Sequence, residues 1–160
     1  NKYLNSLGFD NYLGCGNGLE KRINCNIWPQ SDSEMIEETI DDYINNDTPF
    51  MTYYVTVSGH MNYNWGNAMS KKHKEKVEHL DLPTNVKAYL ATQIELDEAL
   101  NTLIQKLKEN GKLDDTVIAL VGDHYPYDLT IDEINTAYIN TNDEDANKGG
   151  AGIAISNIND

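Results

Sequence analysis

The longest regular pattern of apolar and polar positions covers residues 84–109. Its apolar side chains recur every three or four positions, which predicts a long amphipathic helix that Gly111 is placed to end. The same spacing recurs across residues 31–46, where Ser31 or Ser33 can cap the N-terminus and acidic residues occupy the first turns. These two segments form the predicted helical framework.

Two shorter segments favour β-strands instead. Residues 50–57 and 116–121 are rich in β-branched and aromatic side chains, and residues 151–156 predict a third strand. Further short helical patterns occur at residues 1–7, 71–80 and 130–139. Because helices and strands alternate along the chain, we expect an α/β fold with a mainly parallel sheet and helices on both faces.

The composition excludes some classes of protein but does not indicate an activity. The 160 residues suffice for one domain, and 39% of them are hydrophobic, so a real core can form. The 26 acidic and 12 basic residues give a formal net charge of −14. No nucleic-acid partner is expected, because phosphate contacts need clustered Lys and Arg. No stretch approaches the roughly 18 consecutive apolar residues of a membrane span. Since the chain begins on Asn1 without an initiator Met, we expect it to be a piece of something longer.

The two cysteines, Cys15 and Cys25, lie ten positions apart among Gly and Asn residues. In an exported protein they would close a small disulfide loop, whereas in the cytosol they would stay as thiols. Two cysteines without neighbouring histidines do not make a zinc site. The sequence leaves the disulfide and the free thiols equally open.

Polar residues with catalytic potential follow both predicted strands. His60 comes shortly after residues 50–57, and Asp123 and His124 come soon after residues 116–121. If these strands are parallel neighbours, their carboxyl ends meet at the edge of the sheet where ligands bind in open α/β folds. An adjacent carboxylate and imidazole in a turn suit a divalent cation such as manganese, magnesium or zinc. The alternative is structural: Asp123 caps a turn, His124 packs on the edge, and His60 is a hydrogen-bonded loop histidine.

Other chemically capable side chains are given no catalytic role. His73 and His79 lie in a Lys/Glu-rich helix and are expected to be solvated. Asp97 falls on the apolar side of the long helix, where a buried acid must be paired. Tyr63 and Trp65 follow His60 closely, and they either form a pocket wall or pack onto the domain.

The motifs PFMTYYVTVSGHMNYN and YLATQIELDEALNTLIQKLKENGKLDDTVIALVGDHYPY, in this order, resemble the sulfatase/alkaline-phosphatase superfamily. Within it they are most similar to the lipoteichoic-acid-synthase-like phosphoglycerol transferases of Gram-positive bacteria. The resemblance covers roughly residues 1–130. It implies an alkaline-phosphatase-like α/β fold, of which residues 1–160 would be the C-terminal part of an extracellular catalytic domain.

The resemblance also implies a reaction. In that family a threonine nucleophile attacks the phosphodiester of a phosphatidylglycerol-type lipid, and a Glu, the Thr and an Asp–His pair hold one divalent ion. Asp123 and His124 match this pair, and His60 matches a histidine that contacts the glycerophosphate. The Glu and the nucleophile would lie upstream of Asn1, so the chain alone is expected to be inactive. Manganese or magnesium is implied rather than zinc.

The implied setting is the outer face of a cell membrane. The expected partners are a phospholipid or glycerophosphate substrate and the membrane itself, reached through N-terminal helices that this chain lacks. Two alternatives stay open: a non-catalytic fragment that binds an envelope ligand, and a related sulfatase or phosphodiesterase. A sulfatase proper would need a Cys or Ser converted to formylglycine, and neither Cys15 nor Cys25 lies in such a motif.

Overall fold

The computed structural model describes residues 2–141, with side-chain surroundings for residues 3–136. Six α-helices lie in this part of the chain: α1 (Lys2–Ser6), α2 (Asp32–Thr39), α3 (Ala68–Lys72), α4 (Lys74–Val77), α5 (Thr84–Glu109) and α6 (Ile131–Thr141). Short 3₁₀ turns cover Leu19–Lys21, Ile40–Asp42 and Leu113–Asp115.

Helix α5 is the central element, and α2, α3, α4 and α6 all contact it. The helix predicted over residues 84–109 is confirmed at both ends. Its buried stripe includes Ala88, Ala91 and Ala99, whose small side chains allow neighbouring helices to approach closely. Gly111 follows the helix with φ at 65°, a left-handed conformation that glycine adopts without steric cost.

The other predicted helices form with altered limits. Ser31 caps α2 by accepting a hydrogen bond from the Glu34 N–H at 3.0 Å, but α2 ends at Thr39 rather than at residue 46. The helix predicted over residues 71–80 is interrupted at His73, which separates α3 from α4. The helix predicted over residues 130–139 is observed as α6.

The predicted α/β architecture is wrong for the described residues. Between residues 2 and 141 there is no β-strand, and residues 50–57 and 116–121 run without regular secondary structure. Val117 is 93% exposed and Val121 is 91% exposed, so these side chains lack the packing that a sheet interior would give. β-Propensity reflects how well a side chain fits a pleated, packed surface. A segment with high β-propensity still forms no strand without a neighbouring backbone to pair with. The predicted strand at residues 151–156 lies outside the described residues.

Two hydrophobic clusters hold the helices and the irregular segments together. In the first, Tyr63, Val86, Ala88 and Leu129 are buried, with Trp65 packed against them, so both aromatic residues that follow His60 pack onto the domain. In the second cluster Ile40, Ile44 and Leu107 are almost fully buried. Phe50 and Ile118, which come from residues 50–57 and 116–121, pack against them.

The loop before α2 is closed by a covalent bond. Cys15 and Cys25 form a disulfide with their Cα atoms 5.9 Å apart, which decides between the two possibilities that the sequence left open. No helix within residues 2–141 is long and apolar enough to cross a membrane.

Candidate functional site

The loop that carries His60 is held in place by a buried carboxylate. Asp32, the first residue of α2, is fully buried, and it accepts hydrogen bonds from the Val57 N–H at 2.9 Å and the Ser58 N–H at 3.0 Å. Burial raises the pKa of Asp32, while the hydrogen bonds from Ser58 and Val57 act in the opposite direction. The His60 N–H then donates to the Val57 carbonyl at 3.0 Å, so Asp32 and this turn fix where the loop begins.

Asn67 fixes the far side of the same loop. Its amide nitrogen donates to the carbonyls of His60 at 2.9 Å and Asn62 at 3.2 Å. Its amide oxygen caps α3 by accepting from the Met69 and Ser70 N–H groups. A single buried side chain therefore joins the His60 loop to the start of a helix.

The imidazole of His60 is exposed and oriented. Its Nδ1 lies 2.7 Å from the Met61 carbonyl oxygen; because a carbonyl only accepts, Nδ1 carries the proton and Nε2 is left free. The ring also makes a T-shaped contact with the Trp28 ring, with the ring centroids 4.9 Å apart. His60 therefore presents one nitrogen that can accept a proton, or donate a hydrogen bond once it is protonated.

Asp123 and His124 form a second exposed group. His124 Nδ1 lies 2.7 Å from the Tyr125 carbonyl oxygen, so Nε2 is again free, and it lies 3.5 Å from the Asp123 carboxylate. The His124 ring stacks on Tyr127 at 4.5 Å between centroids. The side chains of Asp123 and His124 are 87% and 45% exposed, so both are accessible to a ligand.

Contacts join the two loops that carry the predicted site residues. The Tyr63 N–H donates to the Asp128 carboxylate at 2.9 Å, and Leu129 packs in the same cluster as Tyr63. Burial, Tyr89 and the negative charges of Asp128 and Asp123 raise the pKa of Tyr63 to about 12. The segments after residues 57 and 121 are thus neighbours, although no sheet aligns them in the described chain.

A third group of ionisable residues lies around Glu95, and two expectations about it are wrong. His73 is only 4% exposed, and its Nε2 donates to the fully buried Glu95 carboxylate at 2.5 Å, so the expectation that His73 is solvated is wrong. Asp97 is exposed, and the buried acid of α5 is Glu95 instead. Ala88, Ala91 and Ala99 share the helix face of Glu95, and that stripe of small residues was the signal in the sequence. His79 is exposed, as expected.

Glu95 already has a full set of protein partners. Ser31 Oγ donates to it, Lys72 Nζ lies 2.7 Å away, and the Ser33 N–H donates at 3.3 Å. Burial opposes ionisation of Glu95, but the hydrogen bonds from His73, Lys72 and Ser31 outweigh it and lower the pKa of the carboxyl group. The network therefore joins α2, α3 and α5 through one buried negative charge.

Two groups of side chains have the donor atoms for a metal ion, and they fit it unequally. His73, Glu95 and Glu98 place one ligand atom each within 4.8 Å of one another, but the Lys72 ammonium group occupies the same carboxylate and would repel a cation. Asp123 and His124 offer two donor atoms, and no lysine is paired with either of them in the described residues. The Nδ1–H donation from His124 to a backbone carbonyl is also the arrangement that orients histidines which bind metals. The exposed pair is the better fit.

Comparisons with known proteins agree with the residue pattern. The family model described as Sulfatase matches residues 1–150. The chain is 32% identical over 94 residues to the lipoteichoic acid synthase of Staphylococcus saprophyticus, an alignment that covers 59% of this chain and 14% of that protein. The chain thus spans a small fraction of the length of this relative. No solved structure matches the chain significantly. Because the family model covers nearly the whole chain, the protein belongs to the sulfatase family.

Proposed function

We propose that the exposed pair Asp123 and His124 supplies metal ligands to the active site of a phosphoglycerol transferase. The observation that carries this proposal is the orientation of His124. Its Nδ1 is engaged by a backbone carbonyl, its Nε2 is free, and the Asp123 carboxylate lies 3.5 Å from that nitrogen. A neutral imidazole nitrogen and a neighbouring carboxylate offer one nitrogen and one oxygen donor to a divalent ion. The proposed ion is manganese or magnesium, which carboxylate oxygens suit, rather than zinc.

The proposed site combines a divalent ion with the imidazole of His60. A divalent ion at this position would polarise a phosphate group and lower the pKa of a nucleophile. His60 acts at the substrate: its free Nε2 accepts a proton from a hydroxyl group or, when protonated, donates to a phosphate oxygen. Asp32 and Asn67 hold the loop that positions this nitrogen. The nucleophile is not assigned to any of the described residues.

The proposed substrate is a phosphatidylglycerol-type lipid, and the proposed product is a glycerophosphate polymer of the cell envelope. Similarity to a lipoteichoic acid synthase supports this choice within the sulfatase family. The Cys15–Cys25 disulfide supports a location outside the cytosol, because such bonds persist in oxidising surroundings. The proposed site of action is therefore the extracellular face of the membrane, in contact with phospholipid.

A manganese titration tests the metal assignment. We expect a variant carrying both Asp123→Ala and His124→Ala to lose metal binding, measured by calorimetry on the full-length protein. The matched control is Glu98→Gln, which alters the buried cluster and leaves the exposed pair intact. Loss of binding in the Glu98→Gln variant, with unchanged binding in the double variant, would move the ion to the cluster around His73.

The His60 assignment is tested by turnover of labelled phosphatidylglycerol in the full-length protein. We expect His60→Ala to lower the rate by about 100-fold or more, the usual scale for a positioned acid–base group. The melting temperature should stay nearly constant, because the His60 ring is exposed. His79→Ala is the control, since His79 is an exposed histidine outside the loops that carry His60 and His124. Equal rates in the two variants would assign His60 a structural role.

A further inference from the structure

A concave surface lies beside His60. Its lining includes neither the exposed pair Asp123 and His124 nor the buried cluster around Glu95. Its cavity of about 350 Å³ is at the small end of the range of ligand pockets, roughly 300–1,000 Å³. None of the residues that line it carries a charge, and they come from the segment before α2 and from the His60 loop: Trp28, Met61, Asn62, Asn64, Gly66 and Asn67.

The amide groups around this cavity differ in how far they are already used. Asn67 is buried, and both ends of its side chain are bonded to the protein. Asn64 accepts from the Gly66 N–H at 2.8 Å through its oxygen, and its amide nitrogen makes no hydrogen bond to the residues that the structure describes. In the part of the chain that the structure describes, the exposed side-chain amide of Asn62 makes no hydrogen bond. Two asparagine side chains can therefore bond to a ligand without breaking a contact in the protein.

Trp28 supplies the apolar part of the same surface. Trp28 is 54% exposed although its neighbour Pro29 is buried, and the Trp28 carbonyl accepts from the Ala68 N–H at 3.3 Å. The backbone at Trp28 is therefore tied to α3, while much of the ring faces solvent. The electron-rich face of an indole attracts the polarised C–H groups of a ligand, and free amides recognise its hydroxyl groups.

We infer that this cavity, here called the Trp28 pocket, binds an uncharged ligand rich in hydroxyl groups, such as a sugar ring or a glycerol unit. An anionic ligand would need a cationic side chain in the lining, and a wholly apolar ligand would leave the amides of Asn62 and Asn64 unpaired. His60 packs on Trp28, so the bound ligand lies next to the loop of the proposed active site. The inference does not depend on the proposed reaction, because it requires neither a metal ion nor a phosphodiester.

Nuclear magnetic resonance of the indole N–H groups tests this inference directly. The 160-residue chain contains two tryptophans, and Trp65 packs against the first hydrophobic cluster, so its signal is an internal control. Methyl β-glucoside and glycerol are titrated separately, without metal. We expect the Trp28 signal and the Gly66 amide to shift saturably with at least one of them. Half-saturation should come at concentrations on the order of 1–10 mM, because one small ligand gains little binding energy.

Two variants connect the shift to the proposed contacts. Asn62→Ala should weaken binding about fivefold, the scale of one neutral hydrogen bond. Asn101→Ala removes an exposed asparagine of α5 and should leave binding unchanged. A Trp28 signal that does not saturate with either compound, equal movement of both indole signals, or unchanged affinity in Asn62→Ala would each overturn the inference.

Discussion

His73 with Glu95 and His124 with Asp123 are two histidine–carboxylate pairs in opposite surroundings. The first pair is almost completely buried, with 2.5 Å between Nε2 and the carboxylate, and Ser31 and Lys72 complete its contacts. The second pair is exposed, its atoms are 3.5 Å apart, and one imidazole nitrogen is free. A carboxylate whose partners are all supplied by the protein stabilises the fold, whereas an accessible pair with a free nitrogen is available for chemistry.

Removing the buried carboxylate of Glu95 should have the largest effect on stability. We expect Glu95→Ala to lower the free energy of unfolding by about 3–5 kcal/mol, because it leaves the buried His73 N–H and the Lys72 charge without their partner. Asp123→Ala should lower it by less than about 0.5 kcal/mol, because the Asp123 side chain is 87% exposed. Urea unfolding at neutral pH measures both values.

If Glu95→Ala does not fold, Glu95→Gln keeps the shape of the side chain and should cost about 1–3 kcal/mol, the scale for a buried polar group with unsuitable partners. Equal stability of the Glu95 and Asp123 variants would break the comparison, since the buried pair would then contribute no more than the exposed one.

A smaller effect is expected from pH. Folding lowers the pKa of Glu95, so the ionised carboxylate stabilises the protein above its ordinary pKa of about 4.3. This contribution is lost as the pH falls from there through the lowered pKa of the folded state. Between about pH 6 and pH 3, the wild type should lose roughly 1–3 kcal/mol more stability than Glu95→Gln. Urea unfolding at a series of pH values measures this difference. If the stabilities of wild type and Glu95→Gln fell in parallel, the partners of Glu95 would not favour its ionised form.

Local chemistry explains why the helices could be predicted. The apolar spacing over residues 84–109 and the glycine that follows set both ends of α5, because helix hydrogen bonds join residues close in sequence. Ser31 caps α2 for the same local reason. The end of α2 at Thr39 was not predicted, since the chain continues as a 3₁₀ turn that buries Ile40.

The candidate site was predicted in part. The motifs located His60, Asp123 and His124, and the hydrogen bond from the Tyr63 N–H to Asp128 and the packing of Leu129 with Tyr63 show that the loops that carry them are neighbours. Their metal-binding and substrate-binding roles remain predictions. Trp28 was missed because it lies far from His60 in sequence, and only packing brings the two rings together.

The sequence by itself determined the family, the long helix and the chemically capable residues, since each depends on a motif or on contacts between near neighbours in the chain. Tertiary structure alone decided the burial of His73 and the choice of Glu95 over Asp97 as the paired acid, because those outcomes depend on which helix packs on which face of α5. It also decided that residues 50–57 and 116–121 form no sheet within the described chain. A strand needs a hydrogen-bonded neighbour, and strand propensity cannot supply one.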